Sequence, residues 1–137
     1  DRALGASIFE RQGCIACHTV TPGEAPKGPS LLGISARYNR AELTESILKP
    51  SAKISQGFET QRFATTSGQT LEGFVVRESG DEVELRNSTG AVTVLPKNEI
   101  DERGKTEASV MPNGLADPLS IPELASLLSY LESLKAN

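Results

Sequence analysis

Both cysteines of the chain, Cys14 and Cys17, and its only histidine, His18, fall within five positions of the 137-residue sequence, in "RQGCIACHTV". These side chains are the whole supply of thiol and imidazole, and four chemistries use such a set. A zinc site takes four ligands, so a carboxylate would have to complete this one. A thioredoxin-type redox pair follows a strand at the start of a helix, whereas the residues before Cys14 read as helix and no strand–helix–strand pattern follows. A Cys–His nucleophile leaves the second cysteine without a task. Finally, Cys-X-X-Cys-His is the attachment pattern of a c-type haem, with one thioether bond from each thiol and the adjacent imidazole as proximal iron ligand. With no other Cys or His to support a rival metal site, covalent haem accounts for the most residues.

A His-ligated haem iron takes a sixth ligand for electron transfer, and a methionine thioether opposite His raises the reduction potential. The single methionine, Met111, lies in "SVMPNGL". Pro and Gly surround it, and it is on no periodic helical face of the kind a core-filling methionine occupies. It is the candidate sixth ligand. Lys53, Lys97 and Lys105 are the substitutes should it not bind, or the position stands open to a small ligand.

Elements that can carry these residues fall into three zones. Up to about residue 56 the pattern is helical with loops. "ALGASIFERQG" puts Leu4, Ile8 and Phe9 on one helical face, with Gly5 admitting another backbone. "GEAPKGPSLLGIS" is a Gly/Pro loop. In "NRAELTESILKPS", Asn39 and Glu42 form a capping-box pair, Leu43, Ile47 and Leu48 the buried stripe, and Pro50 the stop. Between about 58 and 100 the period drops to two: "ETQRFATT", "TLEGFVVRE", "EVELRN" and "AVTVLP" read as four strands of an antiparallel meander, separated by turns at Gly68, Gly80 and Gly90. Beyond Met111, Ser120 and Glu123 make a second capping box. Leu124, Leu127, Leu128, Leu131 and Leu134 then recur at helical spacing, a stripe that calls for the first helix as partner.

Composition sets the outer bounds. One domain is expected, 1–137, with 58–100 as a β-rich insertion within it. Four Phe, two Tyr and no Trp leave the core short of rings, a deficit that a haem would fill. A net charge of −4 gives no basic face for nucleic acid, and no apolar run nears the ~18 residues of a membrane span. The opening "DRALGAS" carries no signal-peptide pattern, as expected of a mature or excised segment.

At these residues the chain resembles the cytochrome c superfamily. "CIACH" is followed by "GPSLLGISAR", similar to the Gly-Pro-x-Leu-x-Gly-(x)-Arg loop of class I cytochromes c. The resemblance implies that the Pro29 carbonyl accepts a hydrogen bond from His18 Nδ1–H, that Leu31 lies against the haem, and that Arg37 reaches a haem propionate. It also implies a mainly α cytochrome c-like fold, α+β overall once the meander is counted. The inserted region departs from compact class I chains. With "SARYNRAELTESILKPSAKI", "GFVVRESGDEVELRNSTGAVTVLPKNEI" and "SVMPNGL", it is similar to a haem-binding domain at the C-terminal end of large secreted proteins of planctomycetes and Verrucomicrobia. Those proteins often carry dehydrogenase-like propeller modules too. The resemblance thus implies one haem c on Cys14 and Cys17, and single-electron transfer for a redox partner or fused dehydrogenase domain. It further implies a periplasmic or otherwise extracytoplasmic location, and no catalysis of the domain's own. The competing expectations are a haem-based sensor and a peroxidase-like or small-ligand site with an exchangeable sixth ligand.

Overall fold

The computed structural model describes residues 1–25 and 27–136. The chain divides into two compact units, one made from both ends (Asp1–Ala52 and Asn113–Asn137) and one from the stretch between them (Lys53–Pro112).

The first unit holds three helices: α1 (Arg2–Arg11), α2 (Arg40–Leu48) and α3 (Ile121–Ser133). Each starts on a side chain that takes an otherwise orphaned backbone N–H. Asp1 accepts from Leu4, while Asn39–Glu42 and Ser120–Glu123 are both reciprocal capping boxes, as their spacing predicts. Helix α1 buries Gly5, Ile8 and Phe9, and α3 buries Ser126, Leu127, Leu128 and Leu131. The two pack on each other as the leucine stripe required, with the Phe9 and Tyr130 rings 5.6 Å apart. Ile34, Leu43 and Ile47 complete the buried cluster, each fully buried aliphatic contributing about 1.5–3 kcal/mol.

Two residues placed on these stripes lie elsewhere. Leu4 is 38% exposed and Leu48 is 48% exposed. In α1 the position turned into the crossing is Gly5, one residue further on. In α2 Leu48 is the last helical residue before Lys49 leaves helical geometry ahead of Pro50. On the surface Arg40 spans α2 and α3, donating to Glu132 and to the Ala125 carbonyl.

The second unit is one antiparallel sheet of five strands, not the four expected: β1 (Gln61–Thr65), β2 (Thr70–Glu78), β3 (Glu82–Arg86), β4 (Val92–Pro96) and β5 (Ile100–Lys105), in the order β4-β3-β2-β1-β5. The first four form the meander. A single 3-10 turn, Lys97–Glu99, then returns β5 to pair with β1, matching Phe63 to Arg103. Strand β5 extends the sheet beyond residue 100. Its sequence "IDERGK" has no apolar alternation because it is an edge strand whose charges face water.

One face of the sheet buries Phe63, Val83, Leu85 and Leu95, with Leu71, Val75 and Ile100 around them. A bulge in β2 between Val75 and Arg77 lets the end of that strand bend. Glu78 there meets Arg103 of β5 and Lys97 of the 3-10 turn, at 3.1 and 2.9 Å. Arg103 also lies over the Phe63 ring, 4.9 Å from its centroid, which closes the apolar face with a cation.

Hydrogen bonds from Arg103 and then Lys97 hold the Glu78 carboxyl down at about 2 against an ordinary 4.5. A depressed carboxylate contributes stability that is fully present above its ordinary value and is lost as pH falls toward the folded one. The sheet is therefore expected to lose stability between pH 4.5 and about 2. Glu78→Gln should be less stable at neutral pH and should flatten the dependence across that window. Acid titration followed by the amide resonances of β2 and β5 reads both effects, and an unaltered acid transition in the variant would remove Glu78 from the account.

Candidate haem-attachment site

The end of α1 leads straight into the cysteine pair. Gln12 closes the helix by donating to the Ile8 carbonyl, and Gly13 follows at φ 79°, a left-handed conformation that glycine takes without strain. The single 3-10 turn Cys14–Ala16 comes next. The N–H groups of Cys17 and His18 both donate to the Cys14 carbonyl, at 3.2 and 3.0 Å. Cys14, Cys17 and His18 therefore share one turn of chain.

The thiols of Cys14 and Cys17 are half-buried and not joined to each other, and Cys14 packs on the core of the first unit. Burial pushes the Cys14 thiol up from its ordinary value, with a backbone hydrogen bond opposing and Cys17 adding to the rise. A redox dithiol needs the reverse, a thiolate stabilised by positive surroundings. Nor does zinc suit the residues. Among the described residues, no three of His, Cys, Asp and Glu stand together as a metal cluster, so the carboxylate that would complete the set is not at hand.

His18 Nδ1 lies 2.8 Å from the Pro29 carbonyl oxygen. A carbonyl only accepts, so the proton is on Nδ1. Burial lowers the imidazole's proton affinity, with the Pro29 bond opposing. The ring is thereby favoured in its neutral form with the lone pair at Nε2, the state in which a histidine binds metal.

Pro29 is itself held from several sides. Leu31 donates its N–H to the Thr19 carbonyl at 3.0 Å, and Gly33 donates to Leu134 beyond the end of α3 at 2.9 Å. Arg37 Nη2 reaches the Ser30 carbonyl at 3.3 Å. Gly28 lies directly over Cys17, where an added Cβ would stand 2.1 Å from the Cys17 carbonyl oxygen. The loop and the cysteine turn are thus clasped main chain to main chain, and the imidazole sits in the clasp.

The first unit brings together Cys14, Cys17, His18, Pro29, Leu31 and Arg37. Leu31 packs on the buried cluster beside Ile34. Met111 belongs to the second unit, as do Lys53, Lys97 and Lys105. Of these lysines, Lys97 is engaged by Glu78. Sequence reasoning passed over three participants in the clasp: Gly28, Thr19 and Leu134. The "GP" of "KGPS" marks a loop, but no residue pattern shows which carbonyl the glycine approaches. The pairing of Gly33 with Leu134 spans most of the chain.

Two unbonded thiols on one turn, next to an imidazole with Nδ1 committed and Nε2 available, fit a covalently attached haem. Comparison with known proteins points the same way. The family model described as Cytochrome c matches residues 3–77, just over half of the chain. That match takes in the cysteine turn, the Pro29 loop and the first strands, and ends before Met111. No curated protein matches the chain.

Proposed function

Because the chain belongs to the cytochrome c family, we propose that it works as a monohaem c-type cytochrome domain carrying single electrons. The observation that carries the reading is the His18 Nδ1–Pro29 hydrogen bond beside the cysteine pair. Bound haem supplies an iron that cycles between ferric and ferrous.

The protein's own residues do the rest. Cys14 and Cys17 each contribute one sulfur to a thioether bond. His18 presents Nε2, and the Pro29 carbonyl keeps the proton at Nδ1 and stops the ring from turning. Leu31 and Ile34, backed by α1 and α3, exclude water. Arg37 gives one donor to Ser30, and we assign its remaining N–H groups to a haem propionate. Met111 is the sixth ligand. Neither axial side chain has to leave when the electron arrives, so few atoms move.

The same reading takes residues 1–137 as one cytochrome c domain with the β-rich region as an insertion, of the planctomycete and Verrucomicrobia type. Its support is the spread of the quoted motifs along the chain. Cytochrome c domains are typically extracytoplasmic, which puts this one in the periplasm or beyond. No helix among the described residues is long and apolar enough to cross a membrane. The partner is a neighbouring dehydrogenase module, docking through a small and weak interface.

Optical spectra of the matured protein test this reading. A low-spin ferric form with a weak far-red sulfur-to-iron band, and a ferrous form that does not take up CO, are the expected results. A high-spin ferric spectrum with rapid CO binding would contradict the electron carrier and favour the sensor or peroxidase-like site.

A further inference from the structure

Met111 lies in a segment without regular structure. Residues 106–112 belong to no helix or strand. A methionine side chain has three rotatable bonds, so on a loose backbone its sulfur has no fixed position. Two local devices fix that backbone. Pro112 follows, which disfavours the helical region for Met111 and holds it extended. The Met111 N–H donates to the Ser109 hydroxyl at 3.1 Å, in a half-buried setting. That bond is a two-residue serine turn, in which the side chain takes a donor that neither a sheet nor a helix claims here.

We propose that Ser109 is the positioning residue for the sixth ligand: its hydroxyl sets the Met111 backbone, and through it the thioether. The proposal rests on Met111 binding the iron, as assigned above. Its own ground is the contact within the second unit. Losing the hydroxyl leaves the Met111 N–H without its partner, an effect on the order of one hydrogen bond, about 1 kcal/mol. An external ligand competing for the sixth position should gain by the corresponding factor, roughly fivefold.

The test is a titration of ferric holoprotein with imidazole, followed by loss of the far-red band, in wild type, Ser109→Ala and Ser109→Thr. Ser109→Ala should bind imidazole roughly fivefold more tightly and show a weaker band before any is added. Ser109→Thr, which keeps a hydroxyl, should behave as wild type, an outcome that a merely structural serine would not produce. Wild-type affinity and band intensity in Ser109→Ala would overturn the role of Ser109 alone. A wild-type protein with no far-red band, indistinguishable from Met111→Ala, would overturn the Met111 assignment and this proposal with it.

Discussion

Replacing Gly28 by alanine should cut the yield of holoprotein at least tenfold and destabilise whatever matures. The new methyl group would stand 2.1 Å from the Cys17 carbonyl oxygen and 3.1 Å from its carbon. Neither atom is the flexible end of a side chain, so the main chain itself must give way. Either the Pro29 loop lifts or the turn between Cys14 and His18 opens. Both movements pull the Pro29 carbonyl from His18 Nδ1 and loosen the ring that is to bind iron. Loss of such an orienting partner typically costs 10- to 100-fold in metal binding or activity. The comparison is Gly80→Ala, where a Cβ meets nothing within 4 Å and φ is not positive. That change should leave maturation as in wild type and stability within about 0.5 kcal/mol. Equal holoprotein yields from the two variants would show that the loop does not need to touch Cys17.

The second large effect is expected at Gly5, where the sign of the change is informative. In the middle of a helix, alanine is favoured over glycine by about 0.8–1 kcal/mol, so an isolated α1 would gain from Gly5→Ala. In the folded unit the added Cβ would lie 2.1 Å from the Ser126 carbonyl oxygen and 2.7 Å from Tyr130 Cβ, both on α3. Overpacking of this kind typically costs 1–3 kcal/mol and more where backbone must move, so a net loss of at least about 2 kcal/mol is expected. Guanidinium unfolding of the holoprotein measures it. A gain would mean that α1 and α3 do not approach so closely at Gly5.

How far the molecule was legible before its structure depended on what each signal encodes. Local signals were sound. Both capping boxes formed, and Pro50 stands just past the end of α2, because a cap is settled within four residues of chain. Periodicity located the helices and the first four strands but erred at the margins of each stripe. Leu4 and Leu48 are apolar and at helical spacing, yet the crossing runs through Gly5, and α2 ends at Leu48. Strand β5 was invisible because its partner is β1, some forty residues back, and its charged side chains face water.

The site shows the same division. Cys14, Cys17 and His18 are adjacent in sequence, so their spacing alone states the chemistry. The Pro29 bond came from a family likeness, and the geometry at 2.8 Å agrees with it. The contacts that hold Pro29 in place, Gly28 on Cys17, Leu31 on Thr19 and Gly33 on Leu134, are main-chain approaches between segments. Side-chain identity does not record them.

The central claim is that Cys14 and Cys17 carry one haem with His18 at its iron. The most direct measurement is the intact mass of the protein, expressed with a c-type maturation system and unfolded in acid, alongside Cys14→Ala/Cys17→Ala. The account predicts that wild type retains the mass of one haem through denaturation and that the double variant retains none. A wild-type chain that leaves a competent maturation system with both thiols free would contradict it.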